Sequence, residues 1–95
     1  MAVKPTRVEG RDAGDVLIYA LSTCGWCKRT KLYLKRHGIA YSYIDVDLLG
    51  DKDREETMKE VTKWNPRCSL PTIVLGNKKA IVGFKEKEMA EALKL

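Results

Sequence analysis

No stretch of the chain stays apolar for more than six residues, from Val16 to Leu21, so no segment is long enough to cross a bilayer as a helix. A charged start followed by an apolar core is also missing, and with it the pattern of a secretory leader. The expectation is a cytoplasmic protein with no membrane partner. Cysteine is scarce and odd in number, three in 95 residues, which excludes a disulfide-stapled scaffold. With 7 Gly and 3 Pro, collagen-like and low-complexity organisation are excluded as well. A length of 95 residues leaves room for one core.

What is present is unevenly placed. The net charge is +5, and residues 16–38 alone carry Lys28, Arg29, Lys31, Lys35 and Arg36 without a single acid. The other basic and acidic residues balance at 13 each. This basic cluster lacks the aromatic interleaving and repetition of nucleic-acid-binding segments, so no nucleic-acid partner is expected. On a helix it is a solvated face that steers acidic proteins.

The pattern along the chain resolves into alternating elements. Residues 1–14 mix charges with Pro5, Gly10 and Gly14, show no sustained period, and read as a flexible N-terminal tail. The domain proper is expected over residues 15–95. Residues 15–21, Asp15 followed by a continuous apolar run, carry the signature of a strand covered on both faces. A helix follows over about residues 25–37, with Trp26, Cys27, Thr30, Tyr33, Leu34 and His37 on one side and the cations on the other. Gly38 ends it as a left-handed residue. Residues 41–46 alternate as a second strand, completing a βαβ unit. A charged helix over residues 51–64, with Met58, Val61 and Trp64 inward, stops at Asn65-Pro66. Strands over residues 72–75 and 80–82 flank a turn at 76–79, and a last helix spans about residues 86–94 with Met89, Ala90 and Leu93 inward. The fold class is therefore α/β, in the order βαβ-α-ββα, with a mixed four-stranded sheet and helices on both faces.

Cys24 and Cys27 form a C-x-x-C where the first strand hands over to the first helix. At that place unpaired N–H groups and the positive end of the helix dipole stabilise an anion, so the Cys24 thiolate is favoured near neutral pH. Cys27, one turn on, lies along the buried stripe and within reach of a disulfide. These properties suit Cys24 for attack on a partner disulfide and Cys27 for release of the resulting mixed disulfide. A structural zinc site would need two more ligands. The candidates, His37 and Cys68, match no common zinc spacing, so no metal is expected; His37 reads as a capping or packing residue and Cys68 as a small loop residue. Pro71 opens the strand at residues 72–75, and a cis Leu70–Pro71 bond would present the Leu70 backbone to an extended substrate.

With these residues in view, the chain resembles the glutaredoxin family of the thioredoxin fold over about residues 15–94. The resemblance rests on Ser22-Thr23-Cys24-Gly25-Trp26-Cys27-Lys28-Arg29 at the first helix, on Ser69-Leu70-Pro71-Thr72, and on Val82-Gly83-Phe84. It implies strand order 4-3-1-2 with the third strand antiparallel, and a cis proline facing the cysteines. It implies Cys24 as nucleophile and Cys27 as resolving thiol, with Gly25, Trp26, Leu70, Pro71 and Gly83 contacting substrate. The activity implied is dithiol–disulfide oxidoreduction by a monomer on protein or small-molecule disulfides, with no cofactor required. Glutathione is one candidate reductant and a reductase the other. Leu21 stands where glutathione-using relatives place a lysine, and Val82 and Lys85 depart from their Gly-Gly-acid pattern. Gly83-Phe84-Lys85 is more similar to redoxins reduced by thioredoxin reductase. The alternative is an iron–sulfur cluster carrier or scaffold, because Gly25 resembles the Cys-Gly start of monothiol relatives that hold a [2Fe–2S] cluster between subunits.

Overall fold

The computed structural model describes residues 3–76 and 78–94. Met1 and Ala2 of the expected tail, Asn77 of the expected turn, and Leu95 lie outside the described residues. The elements are β1 (Thr6–Val8), β2 (Val16–Ala20), α1 (Gly25–Arg36), β3 (Tyr41–Asp45), a short 3-10 turn (Val46–Leu48), α2 (Asp51–Trp64), β4 (Thr72–Leu75), β5 (Lys79–Val82) and α3 (Glu86–Leu93).

The strands lie in the order β1-β3-β2-β4-β5. β2 runs parallel to β3, with Leu17 opposite Ser42 and Ala20 opposite Asp45. It runs antiparallel to β4, with Val16 opposite Leu75 and Tyr19 opposite Thr72. β4 and β5 form an antiparallel hairpin. The four strands β2 to β5 thus have the order and polarity that the resemblance implied.

Alternation along β2 divides the interior in two. Val16, Ile18 and Ala20 join Cys27 and Leu34 of α1, Ile73, Ile81, and Met89 and Leu93 of α3. Tyr19 points the other way, to Ile44, Val46, Val74 and Val61 of α2. Ile18, Leu34 and Ile73 have no exposed surface, and each stabilises the fold by about 1.5–3 kcal/mol relative to exposure. Helices therefore cover both faces, and the C-terminal end of the central strand β2 is left to deliver the chain to the mouth of α1.

The expected four-stranded sheet has a fifth strand, because residues 6–8 of the stretch read as a tail pair antiparallel with β3, Thr6 opposite Tyr43 and Val8 opposite Tyr41. β1 is short, polar and at the sheet edge, so backbone pairing rather than side-chain burial holds it, and no hydrophobic period announces it. The chain that follows is pinned to the α1–β3 connection by Arg11 N–H to Gly38 O (2.7 Å) and Ala40 N–H to Arg11 O (2.9 Å).

Two expectations for α1 also need correction. Cys27, Thr30 and Leu34 are its buried residues, whereas Trp26 and His37 are exposed and Tyr33 is half-buried. A helix resting on a sheet buries a narrow line, and the flank one residue back packs ring on ring instead, Tyr33 against His37 at 4.5 Å. Lys31, placed with the solvated cations by its position, instead reaches Asp45 at 2.7 Å and lies 4.0 Å from the centre of the Tyr43 ring. Its aliphatic stem can follow apolar surface while the ammonium finds a carboxylate.

The N-terminal segment makes a backbone approach that leaves no room for a side chain. A Cβ on Gly10 would sit 2.7 Å from both Ala40 N and Gly38 O, all backbone neighbours. Gly10→Ala is therefore expected to destabilise the protein by about 1–3 kcal/mol, the usual cost of overpacking. Urea unfolding of the two proteins checks this; an unchanged midpoint would mean that residues 6–11 do not hold this position.

Candidate active site

The site begins where β2 ends. Cys24 has extended backbone angles (φ −81°, ψ 122°) and is the N-cap of α1. Its Sγ accepts the Cys27 N–H at 3.3 Å, and its carbonyl accepts the Lys28 N–H at 3.0 Å. A cap residue normally offers a side-chain oxygen to this amide; here a sulfur takes that place. Cys27 is fully buried, and its own Sγ receives the Leu21 N–H at 3.5 Å. Both cysteines are free thiols.

The two sulfurs titrate apart. Partial burial pushes the Cys24 thiol up, but hydrogen bonds from the Cys27 thiol, the Cys27 N–H and the Trp26 N–H outweigh it, and the net direction is below the ordinary thiol value. Burial pushes Cys27 up to about 12, helped by its hydrogen bond to Cys24 and by the charge Cys24 carries. The anion therefore belongs to Cys24.

The turn before Cys24 is clamped from outside. Ser22 donates its N–H to Asp47 Oδ1 at 2.8 Å and its hydroxyl to Oδ2. The hydroxyl bond, followed by that of the N–H, holds the Asp47 carboxyl below the usual carboxylate range.

Leu70–Pro71 is a cis peptide just before β4. Trp26, Leu70, Pro71, Gly83 and Phe84 line a shallow cleft of about 220 Å³. Trp26 stands 58% exposed on its rim, with the Arg29 guanidinium 5.1 Å over its ring and Phe84 6.3 Å away. Gly83 takes φ +83°, a conformation that disfavours a side chain, and donates its N–H to Pro71 O at 2.8 Å. Behind the loop, the buried Asn65 amide donates to Ser69 O (2.9 Å), Ser69 Oγ (3.0 Å) and Thr72 Oγ1 (3.3 Å).

Four of the five residues expected to contact substrate, Trp26, Leu70, Pro71 and Gly83, thus share one cleft. Gly25 does not line it; it is the exposed first residue of α1, between the cysteines. Sequence reasoning overlooked Phe84 as a cleft residue, although Gly83-Phe84 was visible as a motif. It also treated Asn65 only as a helix stop. Cys68 turns to α2, with its sulfur 2.9 Å from Thr62 Oγ1, and does not join the other two cysteines. Among the described residues, no three His, Cys, Asp or Glu side chains converge so as to hold a metal ion, and no helix is long and apolar enough to cross a membrane.

The sheet order, the helices on both faces and the pair of free thiols at the mouth of α1 place the chain in the thioredoxin fold class. The family model for Glutaredoxin matches residues 16–80, and the chain belongs to the glutaredoxin family. It is similar to the methanoredoxin of Methanosarcina acetivorans, at 46% identity and a TM-score of 0.88, over 90% of each chain. It is likewise similar to the glutaredoxin of Methanosarcina mazei, at 46% identity and a TM-score of 0.88, covering 98% of this chain and 90% of that one. A glutaredoxin-like 8.6 kDa protein in the rubredoxin operon of Clostridium pasteurianum is 37% identical over 75 residues, which are 78% of this chain and 91% of the relative. Membership of this family is consistent with thiol–disulfide oxidoreduction as the general activity.

The separation of the two thiols has a direct readout. Thiolate rises with pH, so alkylation of Cys24 falls off only as pH drops through its lowered pKa, below the roughly 8.5 of a free cysteine. Cys27 stays unreactive until strongly alkaline pH. Iodoacetamide labelling of the reduced protein across a pH series, mapped by peptide mass, is expected to show Cys24 modified and Cys27 spared near pH 7. Equal rates at the two cysteines would refute the placement of the anion.

Proposed function

We propose that the protein is a dithiol–disulfide oxidoreductase that reduces protein or small-molecule disulfides, with Cys24 as nucleophile and Cys27 as resolving thiol. The observation that carries this reading is the hydrogen bond from the Cys27 N–H to Cys24 Sγ, which places the favoured thiolate at the half-exposed end of the pair. The Cys24 thiolate attacks one sulfur of the target disulfide. A Cys24–target bond forms, the target's own bond breaks, and its second sulfur leaves as a thiolate that takes up a proton. Cys27 then gives up its proton and attacks Cys24 Sγ, forming the Cys24–Cys27 disulfide and releasing the first target sulfur as a thiol. Two electrons have passed from the protein to the target, with one proton supplied by Cys27 and the other by solvent.

Resolution needs the buried thiol to become nucleophilic only after the first step. In the reduced state the Cys24 charge is one of the causes that hold Cys27 protonated. Once Cys24 is bonded to the target that charge is gone, and the cause is relieved. The cleft of Trp26, Leu70, Pro71, Gly83 and Phe84 receives the segment around the target sulfur, with Leu70 pairing to its extended backbone. A Cβ on Gly25 would meet no atom within 4 Å beyond its chain neighbours and the backbone of its own helix, so the helix start is open to the target on that side.

The oxidised protein is returned to the dithiol by a reductase or by two glutathione molecules, with no bound cofactor. The site favours a reductase. Leu21, rather than a cation, stands three residues before Cys24, and the first charge after Phe84 is Lys85, which reaches back to Glu88 at 3.7 Å. The cycle belongs in a reducing compartment such as the cytoplasm, with the protein acting as a monomer.

Cys24→Ser is expected to abolish reduction of a model disulfide such as insulin. Cys27→Ser is expected to accumulate a mixed disulfide at Cys24, visible in the intact mass. A Cys27→Ser protein that turned over protein disulfides as fast as the parent would remove the resolving role. Visible absorption bands with stoichiometric iron after anaerobic purification would mark an iron–sulfur carrier instead.

A further inference from the structure

A second cleft, of about 390 Å³, adjoins the first and shares Phe84 with it. One wall is a single face of α1, Arg29, Leu32, Tyr33, Arg36 and His37, spaced i, i+3, i+4, i+7, i+8. The other is Phe84 with Glu86, the one acid lining the cleft. Rings link the two clefts, Trp26 of the first to the shared Phe84 at 6.3 Å and Phe84 to Tyr33 of the second, edge-on, at 5.8 Å. Leu32, a large apolar side chain, is 46% exposed here.

The rim of this groove is cationic. Lys28, Arg29, Lys35 and Arg36 have no salt-bridge partner among the described residues, while Lys31, the fifth cation of α1, is drawn away to Asp45. Arg29 and Arg36 lie seven residues apart and flank the groove, and Arg29 also sits over the Trp26 ring. Apolar floor and positive rim together fit a polypeptide that carries acidic side chains. Two ring-to-ring steps separate the cleft beside Cys24 from Tyr33, a path that about three or four extended residues cover at roughly 3.3 Å each.

We propose that the groove along α1 is the docking track for an acidic, extended segment of the protein disulfide substrate, with its acidic residues about three or four positions from the cysteine that Cys24 attacks. The proposal rests on the reading of the protein as a disulfide reductase and names the class of disulfide it prefers. It adds no redox step to that cycle. Opposite charge on the two partners raises the encounter rate and fixes which way the segment lies, while chemistry at Cys24 is unchanged.

The test uses the reduced full-length protein and synthetic peptides. Each peptide has one cysteine joined by a disulfide to 2-mercaptoethanol, with glutamates three and four residues away on either side; a twin has glutamines there. The second-order rate of Cys24–Cys27 disulfide formation is read by acid quench and intact mass, without any added electron donor. Each rate is divided by that at which dithiothreitol reduces the same peptide, which removes differences in the peptide's own reactivity. The glutamate peptide is expected to react about tenfold faster than its twin at low ionic strength, the low end of electrostatic steering. The advantage should collapse at high salt, and Arg36→Glu should bring the ratio close to one. Equal rates for the two peptides, or a ratio that survives Arg36→Glu, would overturn the proposal. So would an oligonucleotide that slows the glutamate peptide at lower concentration than an unreactive glutamate peptide does. If neither peptide is reduced, the disulfide-reductase reading itself fails.

Discussion

The site depends on the hydrogen bonds that converge on Cys24 Sγ, from the Cys27 thiol and from the Cys27 N–H at 3.3 Å. The first turn of any helix leaves amides that need an acceptor. The other two helices meet the positive end of their dipole with carboxylates: α2 carries Asp51 and Asp53 in its first turn, and α3 carries Glu86 and Glu88. α1 carries no acid there, and two of its five cations, Lys35 and Arg36, sit in its last turn. The cap residue that replaces the missing acid is the reactive cysteine. Helix capping and thiolate stabilisation are thus one contact.

That contact is useful only if the sulfur is held in place while the target's chain lies against it. Three separate elements supply the support. Asp47, just past β3, grips Ser22 and with it the turn before Cys24. Asn65, at the end of α2, ties down Ser69 and Thr72 from behind, and Thr72 Oγ1 returns a bond to Ser69 O at 2.8 Å. Gly83, after β5, closes on Pro71. Each support is a polar group bonded to a loop, and each hangs from a strand or helix anchored in one of the two cores. The rigid sheet therefore sets the position of the loops, and the loops set the cleft.

The sequence showed clearly those parts that rest on burial periods and breakers. α2 spans the residues that its charge pattern and Asn65-Pro66 bounded, and β4 follows the apolar run after Pro71. The cysteines were legible for the same reason, since a strand end and a helix start could be placed on either side of them. What escaped notice depends on partners distant in the chain. β1 shows no period because its bonds go to β3 and only Val8 is half-buried. Lys31 looks solvated on a helical wheel, which cannot show that Asp45 and Tyr43 lie beside it. Asn65 reads as a terminator because its buried amide acts on residues four to seven positions later. Phe84 reads as a linker residue until the sheet brings it against Trp26 and Tyr33.

The absence of an acid at the start of α1 also bears on the direction of electron flow. Stabilising the Cys24 thiolate stabilises the reduced protein, because the disulfide form has no anion to place at the helix mouth. A carboxylate in that first turn would offset the dipole in both redox states and favour the disulfide by default. The same stabilisation acts on rate in two opposing ways: it raises the fraction of thiolate at neutral pH and lowers the reactivity of each thiolate, with a Brønsted slope of about 0.4–0.5. A fall in pKa toward neutral therefore gains more in population than it loses in reactivity, and a fall far below neutral would only lose. In the proposed cycle Cys27 has to strike Cys24 Sγ, because attack on the target sulfur would expel the stable Cys24 anion and leave the target bound to Cys27. Which sulfur it strikes is then a matter of position, and burial of Cys27 behind the cap residue leaves Cys24 Sγ as the sulfur within its reach.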